Sequence, residues 1–239
     1  MNYYIADLHF GHENILKYDN RPFQNILKQD DYIIRNWNNE VKEDDDVYII
    51  GDISFYKADL TIELLESLNG RKHLIVGNHD SSLIKKKKVR ACFESIDEYK
   101  EIKDGDMHVI LCHYPIPFFK NFQKKNYVHL YGHLHNRSYD DNMMNHMITS
   151  IEDLYQKQHN MLNVGCMHEY IDYTPITLKR AMMCIKNRRV SDKSARYISN
   201  MSQKEIEEFS ESLSRSLNEY DHELDLDHII NEVIDEICE

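Results

Sequence analysis

Metal-binding side chains follow five short apolar segments of this chain, each at the point where the segment ends. The segments are rich in β-branched and aromatic residues, so each predicts a buried strand. Because ligands bind outside the carboxyl ends of strands in open α/β sheets, the series predicts one site at one edge of the fold. In chain order, the side chains are Asp7 and His9, then Asp52, then Asn78, His79 and Asp80, then His113, then His133 and His135.

Strand-like and helix-like segments alternate over the first 186 residues, which favours an α/β domain. Helices are predicted over residues 31–40 and 58–68, and the long polar stretch 137–158 is interpreted as a loop. The predicted strands cover residues 3–6, 47–51, 73–76, 107–112, 128–131 and 161–164.

The last 53 residues differ in composition from the rest of the chain. Residues 187–239 carry 14 acidic and 6 basic side chains and contain no Gly or Pro. Ser202 followed by Glu205 is typical of a helix start, and apolar residues recur after it at helical spacing. The sequence therefore predicts a main domain over residues 1–186 and an acidic, α-helical C-terminal extension over residues 187–239. We expect the extension to pack on the main domain or on a partner chain, including a second copy of this protein.

The charge and composition disfavour several classes of function. The net charge is −12, from 29 Lys plus Arg against 41 Asp plus Glu, which makes duplex nucleic acid an unlikely partner. No stretch approaches the roughly 18–20 apolar residues of a membrane helix, so no membrane partner is expected. The N-terminus lacks the basic and apolar regions of a secretory signal, and the five scattered cysteines form no CxxC motif. These features are typical of a cytoplasmic protein with reduced thiols.

Seven of the side chains form a donor set for two cations. They supply three oxygen and four imidazole donors, a mixture that suits Mn²⁺, Fe or Zn²⁺ better than Ca²⁺. Two cations about 3.5–4 Å apart repel each other and need shared negative charge, which makes Asp52 the expected bridge. The seven are Asp7, His9, Asp52, Asn78, His113, His133 and His135.

The order and spacing of these motifs resemble the calcineurin-like metallophosphoesterase superfamily. The motifs are Asp7-x-His9, Gly51-Asp52, Gly77-Asn78-His79-Asp80, His113 and Gly132-His133-Leu134-His135. Residues 3–12, 19–23 and 163–166 further resemble a branch of small bacterial and phage phosphoesterases. The resemblance covers the main domain and not the acidic extension.

The resemblance implies a four-layer αββα sandwich, in which two mixed β-sheets are flanked by helices. It implies one metal held by Asp7, His9, Asp52 and His135, and a second held by Asp52, Asn78, His113 and His133. It also implies that a water or hydroxide attacks phosphorus, with Asn78 contacting the substrate and His79 stabilising the transition state or protonating the leaving oxygen. In several members a carboxylate three residues after the bridging aspartate orients this histidine. Here that residue is Phe55.

Three further residues close to these motifs have alternative roles. His12 could contact the substrate, hold a metal ligand in place, or face solvent. Arg21 could clamp a substrate phosphate with its planar guanidinium, or form a surface ion pair. Asp80 could support the metal ligands through hydrogen bonds, or cap a helix that begins near Ser81.

We therefore expect a dinuclear metal-dependent phosphoesterase that hydrolyses a small phosphate ester, with a phosphodiester or nucleotide favoured over other esters. Its cofactors would be two divalent cations, with Mn²⁺ favoured over Fe or Zn²⁺. One alternative is a catalytically weak metal-binding interaction module that assembles through its acidic helices. Another is a nuclease in which the four lysines at 85–88 attract nucleic acid, against the competing interpretation of a solvated charge run.

Overall fold

Within residues 1–136 and 138–188, which the computed structural model describes, nine strands form two mixed β-sheets. The first sheet contains β1 (Asn2–Ile5), β2 (Asp46–Ile50), β3 (Arg71–Ile75), β4 (Ser95–Asp97) and β9 (Ile176–Thr177). Its strand order is β4-β3-β2-β1-β9, in which β1 to β4 run parallel and β9 runs antiparallel to β1.

The second sheet contains β5 (Tyr99–Asp104), β6 (Met107–Cys112), β7 (Tyr127–Tyr131) and β8 (Met161–Asn163), in that order. β5 pairs antiparallel with β6, whereas β6, β7 and β8 run parallel. A parallel bridge between Ala6 and Gly165 joins the chain just beyond β1 to the chain just beyond β8. The carboxyl ends of parallel strands from both sheets therefore meet at one edge of the fold.

Helices pack against each sheet and bury an apolar face there. The helices are α1 (Ile15–Tyr18), α2 (Ile26–Glu40), α3 (Ala58–Ser67), α4 (Lys87–Arg90), α5 (Tyr139–Tyr155) and α6 (residues 178–188). Trp37 of α2 and Leu65 of α3 lie in one buried cluster with Leu74 of β3. Ile148 of α5 lies in a second cluster with Ile110 of β6.

The alternation of side chains along β1 shows how one strand serves two layers. Tyr3 and Ile5 point into the cluster formed with the helices. Tyr4 points the other way, because successive side chains of a strand face opposite sides of the sheet. Its hydroxyl donates to Asp104 Oδ2 on β5 at 2.8 Å, and its ring stacks on Tyr48. The expected α/β class is thus confirmed, with two mixed sheets and flanking helices.

The predicted elements differ from the observed ones mainly at their ends. All six predicted strands are present, with boundaries displaced by no more than two residues. α2 begins at Ile26 rather than at residue 31, because Asn25 caps it by accepting a hydrogen bond from the backbone N–H of Lys28 at 3.0 Å. The sequence analysis predicts neither the short strands β4 and β9 nor the six-residue strand β5.

The interpretation of residues 137–158 as a loop is wrong, because α5 occupies most of this stretch. Ser138 caps the helix by accepting a hydrogen bond from the backbone N–H of Asp141 at 3.0 Å. Met144, Ile148 and Ile151 recur at helical spacing and are buried. The many polar residues on the exposed side obscured this apolar stripe.

The acidic extension predicted over residues 187–239 lies outside the described residues, apart from its first two, which continue α6. The division of the chain at residue 186 stays a prediction. Residues Met1–Met182 form one compact unit, which contains both sheets. Among the described helices, we find none with the length and apolar character needed to cross a membrane.

Candidate metal centre

The predicted metal-binding side chains converge where strands of both sheets end. β1, β2 and β3 of the first sheet and β6 and β7 of the second each deliver at least one of them. The ligand atoms of Asp7, His9 and His135 lie within 4.8 Å of one another, and so do those of Asp7, Asp52 and His113. The structure therefore brings together residues that are up to 128 positions apart in the sequence.

Asn78 links the two histidines that complete the second donor group. Its Oδ1 lies 3.0 Å from Nε2 of His113 and 3.0 Å from Nδ1 of His133. Nδ1 of His113 lies 2.9 Å from the carbonyl oxygen of Ile50, which can only accept a hydrogen bond. In the neutral imidazole this leaves Nε2 unprotonated, so it meets Asn78 Oδ1 as a second acceptor. Two acceptors this close suit a cation that both can bind.

The carboxylate of Asp52 lies between the two donor groups. Its Oδ2 is 3.7 Å from Nε2 of His9 and 3.6 Å from Nε2 of His113. Its Oδ1 accepts a hydrogen bond from the backbone N–H of His79 at 2.9 Å. One carboxylate therefore faces histidines of both groups, as a bridging ligand must.

His9 gives the clearest sign that these residues fit a metal. The residue is only 2% exposed, and neither ring nitrogen has a hydrogen-bond partner among the residues that the structure describes. Leaving a buried polar atom unpaired costs roughly 1–3 kcal/mol, so two such atoms on one ring need an explanation. A divalent cation would satisfy one of the two nitrogens and is the usual partner of neutral imidazole. The residues present thus fit a divalent metal site.

Four of the predicted metal-binding residues have left-handed backbone conformations. The φ angles are 56° at Asp7, 50° at His9, 53° at Asp52 and 69° at His133. Such φ angles cost of order 1–3 kcal/mol in non-glycine residues, and they concentrate at functional sites where the surrounding fold enforces them. The strand ends thus turn sharply and direct these side chains toward the shared centre.

Two glycines make room for the ligands. Gly51 has φ of 83°, and a Cβ atom there would collide with the ring of His113. A Cβ atom on Gly132 would lie 2.5 Å from Oδ2 of Asp7. Both residues immediately precede predicted ligands, so a side chain at either would displace the donor set.

Asp80 holds the loop that carries Asp52. Its Oδ2 accepts hydrogen bonds from the backbone N–H groups of Asp52 at 2.9 Å and Gly77 at 2.8 Å, and its Oδ1 accepts from Ile53 at 2.9 Å. The carboxylate is fully buried. These hydrogen bonds hold the loop that carries the predicted ligand Asp52, which is one of the two roles considered for Asp80. Only a three-residue 3₁₀ turn, Asp80–Ser82, begins there, and no side chain caps it.

Arg21 lies in a different place from the one expected of a phosphate clamp. Its side chain is inaccessible to solvent, and its Nε donates to Oδ2 of Asp19 at 2.8 Å. Nη1 donates to the carbonyl oxygen of Leu8, and Nη2 donates to that of Asp7. Each of the three guanidinium nitrogens therefore donates within the protein, and the side chain stabilises the backbone beneath the centre.

Asp19 is a residue of the centre that sequence reasoning missed. Its Oδ1 lies 2.5 Å from Nδ1 of His135, and its own side chain is only 1% exposed. This contact fixes the His135 ring and leaves Nε2 for a metal, as carboxylates commonly do for metal-binding histidines. Burial alone would lower the pKa of His135, but the hydrogen bond that its ring donates to Asp19 and the nearby negative charge of Asp7 raise that pKa above its ordinary value. Because metal-binding histidines usually donate their other ring N–H to an acceptor, the sequence could have prompted a search for a carboxylate partner of His135.

His12, Phe55 and His79 form a cluster of rings beside His9. The Phe55 ring stacks on His12 with centroids 3.9 Å apart, and it lies 5.1 Å from the His79 ring. His12 and His79 lie 5.4 and 5.8 Å from the His9 ring. Where several members of the resembled superfamily have a carboxylate, this chain therefore has an aromatic ring against His79. Asp80 does not replace that carboxylate, because its oxygens bind backbone N–H groups.

Burial sets the protonation of the centre in the absence of cations. It raises the pKa of Asp7 to about 7, with only partial compensation from His135. It lowers the pKa values of His9, His113 and His133. At these three histidines the fold thus favours the neutral imidazole, which is the form that binds metals. It disfavours the Asp7 carboxylate unless a positive charge is nearby.

Comparison with known proteins gives a family match over most of the chain. The model of the calcineurin-like phosphoesterase superfamily domain matches residues 3–186, which include every predicted ligand. Among solved structures, the protein of unknown function AQ665 from Aquifex aeolicus is similar, with a TM-score of 0.56 and 25% identity. The similarity covers 77% of this chain and 98% of that one.

Two curated relatives match about a third of the chain. The uncharacterized protein MJ1445 from Methanocaldococcus jannaschii is 51% identical over 80 residues, which are 33% of this chain and 46% of that protein. The gene 66 protein of Mycobacterium phage L5 is 35% identical over 81 residues, which are 33% of this chain and 39% of that protein. The matches thus span less than half the length of each relative. The phage relative agrees with the expected branch of bacterial and phage proteins.

The contact between Asp19 and His135 predicts the effect of removing the Asp19 charge. In Asp19→Asn the ring of His135 loses its anionic partner, so we expect Mn²⁺ affinity to fall about 10- to 100-fold. Isothermal titration of the metal-free protein with Mn²⁺ measures this. The exposed Asp31→Asn serves as the control and should bind Mn²⁺ as the wild type does. Equal affinity in Asp19→Asn and the control would contradict the positioning role.

The raised pKa of Asp7 predicts a pH dependence of the metal-free protein. Between pH 4 and pH 7 the folded state holds a proton on Asp7 that the unfolded state has lost, so the Asp7 contribution to the free energy of unfolding declines as pH rises. The free energy of unfolding of the wild type, minus that of Asp7→Asn, should therefore fall as pH rises across this range. Urea denaturation at several pH values, after chelation, measures it. A difference that stays constant with pH would refute the shift.

Proposed function

The chain belongs to the calcineurin-like phosphoesterase superfamily, and from this membership we propose that it is a dinuclear metal-dependent phosphoesterase. The observation that carries the proposal is the place of Asp52, whose Oδ2 lies 3.7 Å from one buried histidine and 3.6 Å from another. A carboxylate shared between two donor groups serves a pair of cations better than a single one. The unpartnered His9 ring supports the same assignment.

Each donor group would hold one cation. Asp52 belongs to both. The first group is Asp7, His9, Asp52 and His135, and the second is Asp52, Asn78, His113 and His133. Such cations, when bound, neutralise charge on phosphoryl oxygens and lower the pKa of water toward neutrality. Asp19 and Asp80 hold His135 and the Asp52 loop in place through the contacts described above.

His79 is the residue we propose as proton donor to the leaving oxygen. It directly follows Asn78, and its backbone N–H is tied to Oδ1 of Asp52. The residue is exposed at the open side of the centre, so its ring can meet a substrate. Phe55 restrains that ring by packing rather than by a hydrogen bond. His12, whose ring stacks on Phe55, is a second residue that we propose contacts the substrate.

The substrate we propose is a small phosphate ester, with a phosphodiester or nucleotide favoured over a monoester of another kind. We propose Mn²⁺ as the cation, since the mixed oxygen and imidazole donors suit it, ahead of Fe and Zn²⁺. A cytoplasmic location follows from the scattered cysteines, which are typical of reduced thiols. We also propose that residues 187–239 mediate assembly with a second copy or a partner chain.

Hydrolysis of model esters tests the proposed activity. The full-length protein loaded with Mn²⁺ should release p-nitrophenol from bis-p-nitrophenyl phosphate, from p-nitrophenyl phosphate, or from both. The ratio of the two rates measures the preference for diesters. If neither ester is hydrolysed with Mn²⁺, Ni²⁺, Co²⁺ or Zn²⁺, the proposal is contradicted.

The bridging role of Asp52 predicts a joint loss of both metals. In Asp52→Ala each donor group lacks its shared carboxylate, so we expect both metals and the hydrolysis to be lost together. Asp52→Asn keeps the shape and tolerates the left-handed backbone, so it separates loss of charge from misfolding. Elemental analysis of the purified variants measures the metal content, with the exposed Asp44→Ala as control. Full metal content in both Asp52 variants would show that the bridge is wrongly assigned.

The role of His79 predicts a loss of rate without a loss of metal. A general acid contributes typically 10²–10⁴-fold, so kcat of His79→Ala should fall by about that factor while metal content stays complete. The exposed His146→Ala on α5 is the matched control and should keep the wild-type kcat. An unchanged kcat in His79→Ala would remove the histidine from the mechanism.

A nuclease is the second candidate, since all four lysines at 85–88 are exposed and begin five residues after Asp80. If nucleic acid binds there, replacing the four by alanine should slow cleavage of a single-stranded oligonucleotide and reduce its dependence on salt. Hydrolysis of bis-p-nitrophenyl phosphate by the same variant is the control and should not change. Oligonucleotide cleavage equal to that of the wild type would dismiss this candidate.

A further inference from the structure

A pocket of about 410 Å³ adjoins the metal centre. It lies between the loop that carries Asp19, the residue Asn136 that follows His135, and residues 167–173. Asp19 lines the pocket and also contacts Nδ1 of His135, so pocket and centre share a wall. A group that occupies the pocket could therefore belong to a molecule whose phosphate lies at the metals.

Aromatic and apolar side chains form part of the pocket wall. Tyr18 is 74% exposed, and its ring lies 6.2 Å from that of His12, which itself contacts His9. Met167 and Tyr173 are buried and contribute apolar surface. Exposed aromatic rings beside a phosphate-binding centre are common stacking platforms for nucleic-acid bases.

The polar groups of the pocket are rich in hydrogen-bond acceptors. Nε2 of His168 is buried and has no hydrogen-bond partner within residues 1–136 and 138–188. Burial lowers the pKa of this histidine to about 4, so the ring is neutral. The carboxylate of Asp172, which accepts from the Tyr32 hydroxyl and has further acceptor capacity, lines the same pocket. The side-chain oxygens of Asn20 and Asn136 add two more acceptors. Such a lining favours a ligand that carries amino groups.

The charge of the lining disfavours a second phosphate in this pocket. Among the described lining residues Arg21 is the cation, and its guanidinium already donates to Asp19, to backbone carbonyls and to Gln29. Asp172 adds negative charge at the rim. The group that fits is therefore an uncharged planar ring with amino groups. The pocket volume of about 410 Å³ suits one nucleoside rather than a longer chain.

Resting on the proposed phosphoesterase activity, we infer that this pocket binds the base of an amino-bearing nucleoside whose phosphate ester is hydrolysed at the metal centre. Adenine and cytosine present exocyclic amino groups to the acceptors, whereas uracil presents carbonyl oxygens in their place. In the hydrolysis, water adds to phosphorus, the bond from phosphorus to the leaving oxygen breaks, and that oxygen takes up a proton. The pocket holds the part of the substrate that does not react.

Binding of free nucleosides to the metal-free, full-length protein tests the pocket separately from catalysis. Adenosine and cytidine should give saturable binding in NMR or calorimetric titrations. Uridine should bind at least about 5-fold more weakly than cytidine, because uridine has a carbonyl oxygen where cytidine has its exocyclic amino group, and its remaining donor, the ring N3–H, lies at a different position. Tyr18→Ala should weaken adenosine binding about 5- to 100-fold through loss of stacking.

Matched variants and esters complete the test. Tyr139→Ala removes an equally exposed tyrosine on α5, outside the pocket lining, and should bind adenosine as the wild type does. The nucleoside pocket would be overturned by any of three results. These are equal affinity for cytidine and uridine, no binding of any nucleoside, and wild-type affinity for adenosine in Tyr18→Ala. If bis-p-nitrophenyl phosphate is nevertheless hydrolysed, the proposed function stands without it. Selective adenosine binding by a protein that hydrolyses no ester would support the pocket and contradict the phosphoesterase.

Discussion

The buried carboxylate of Asp52, placed between two groups of metal-binding side chains, is the feature on which the rest of this structure depends. Its Oδ2 faces His9 on one side and His113 on the other. Burying carboxylates and imidazoles without counter-ions costs free energy, and hydrogen bonds around the centre offset part of that cost. Asp80 and Arg21 supply these by holding the backbone around the centre. Bound cations would offset the remaining free-energy cost of burying these side chains.

Left-handed backbone and glycines give this centre its geometry. Asp7, His9, Asp52 and His133 all turn out of their strands with positive φ, so side chains from two sheets can point at one place. Gly51 leaves room for the His113 ring. These local strains are sustained because the strands behind them pair in register and pack against helices on their far sides. The stable pairing and packing of the sheets thus hold the predicted ligands in fixed positions at their edge.

The meeting of the predicted ligands at one edge of the fold can be predicted from the sequence, whereas their surroundings cannot. Each ligand directly follows an apolar strand, so local pattern suffices to place it. Asp19 was missed because its partner His135 lies 116 residues away and no local motif joins them. For Arg21 the sequence leaves a phosphate clamp and a surface ion pair as alternatives, because the burial of its ion pair with Asp19 depends on tertiary packing, which a single sequence does not display. α5 was taken for a loop because its apolar stripe is narrow, and the pocket beside the centre is built from loops that periodicity cannot describe.

The most direct measurement of the central claim is anomalous X-ray diffraction from crystals of the full-length protein grown with Mn²⁺. The account predicts two anomalous peaks about 3.5–4 Å apart with the Asp52 carboxylate between them. His9 and His135 should lie beside one peak, and His113 and His133 beside the other. A single peak, or no peak within reach of Asp52, would contradict the account.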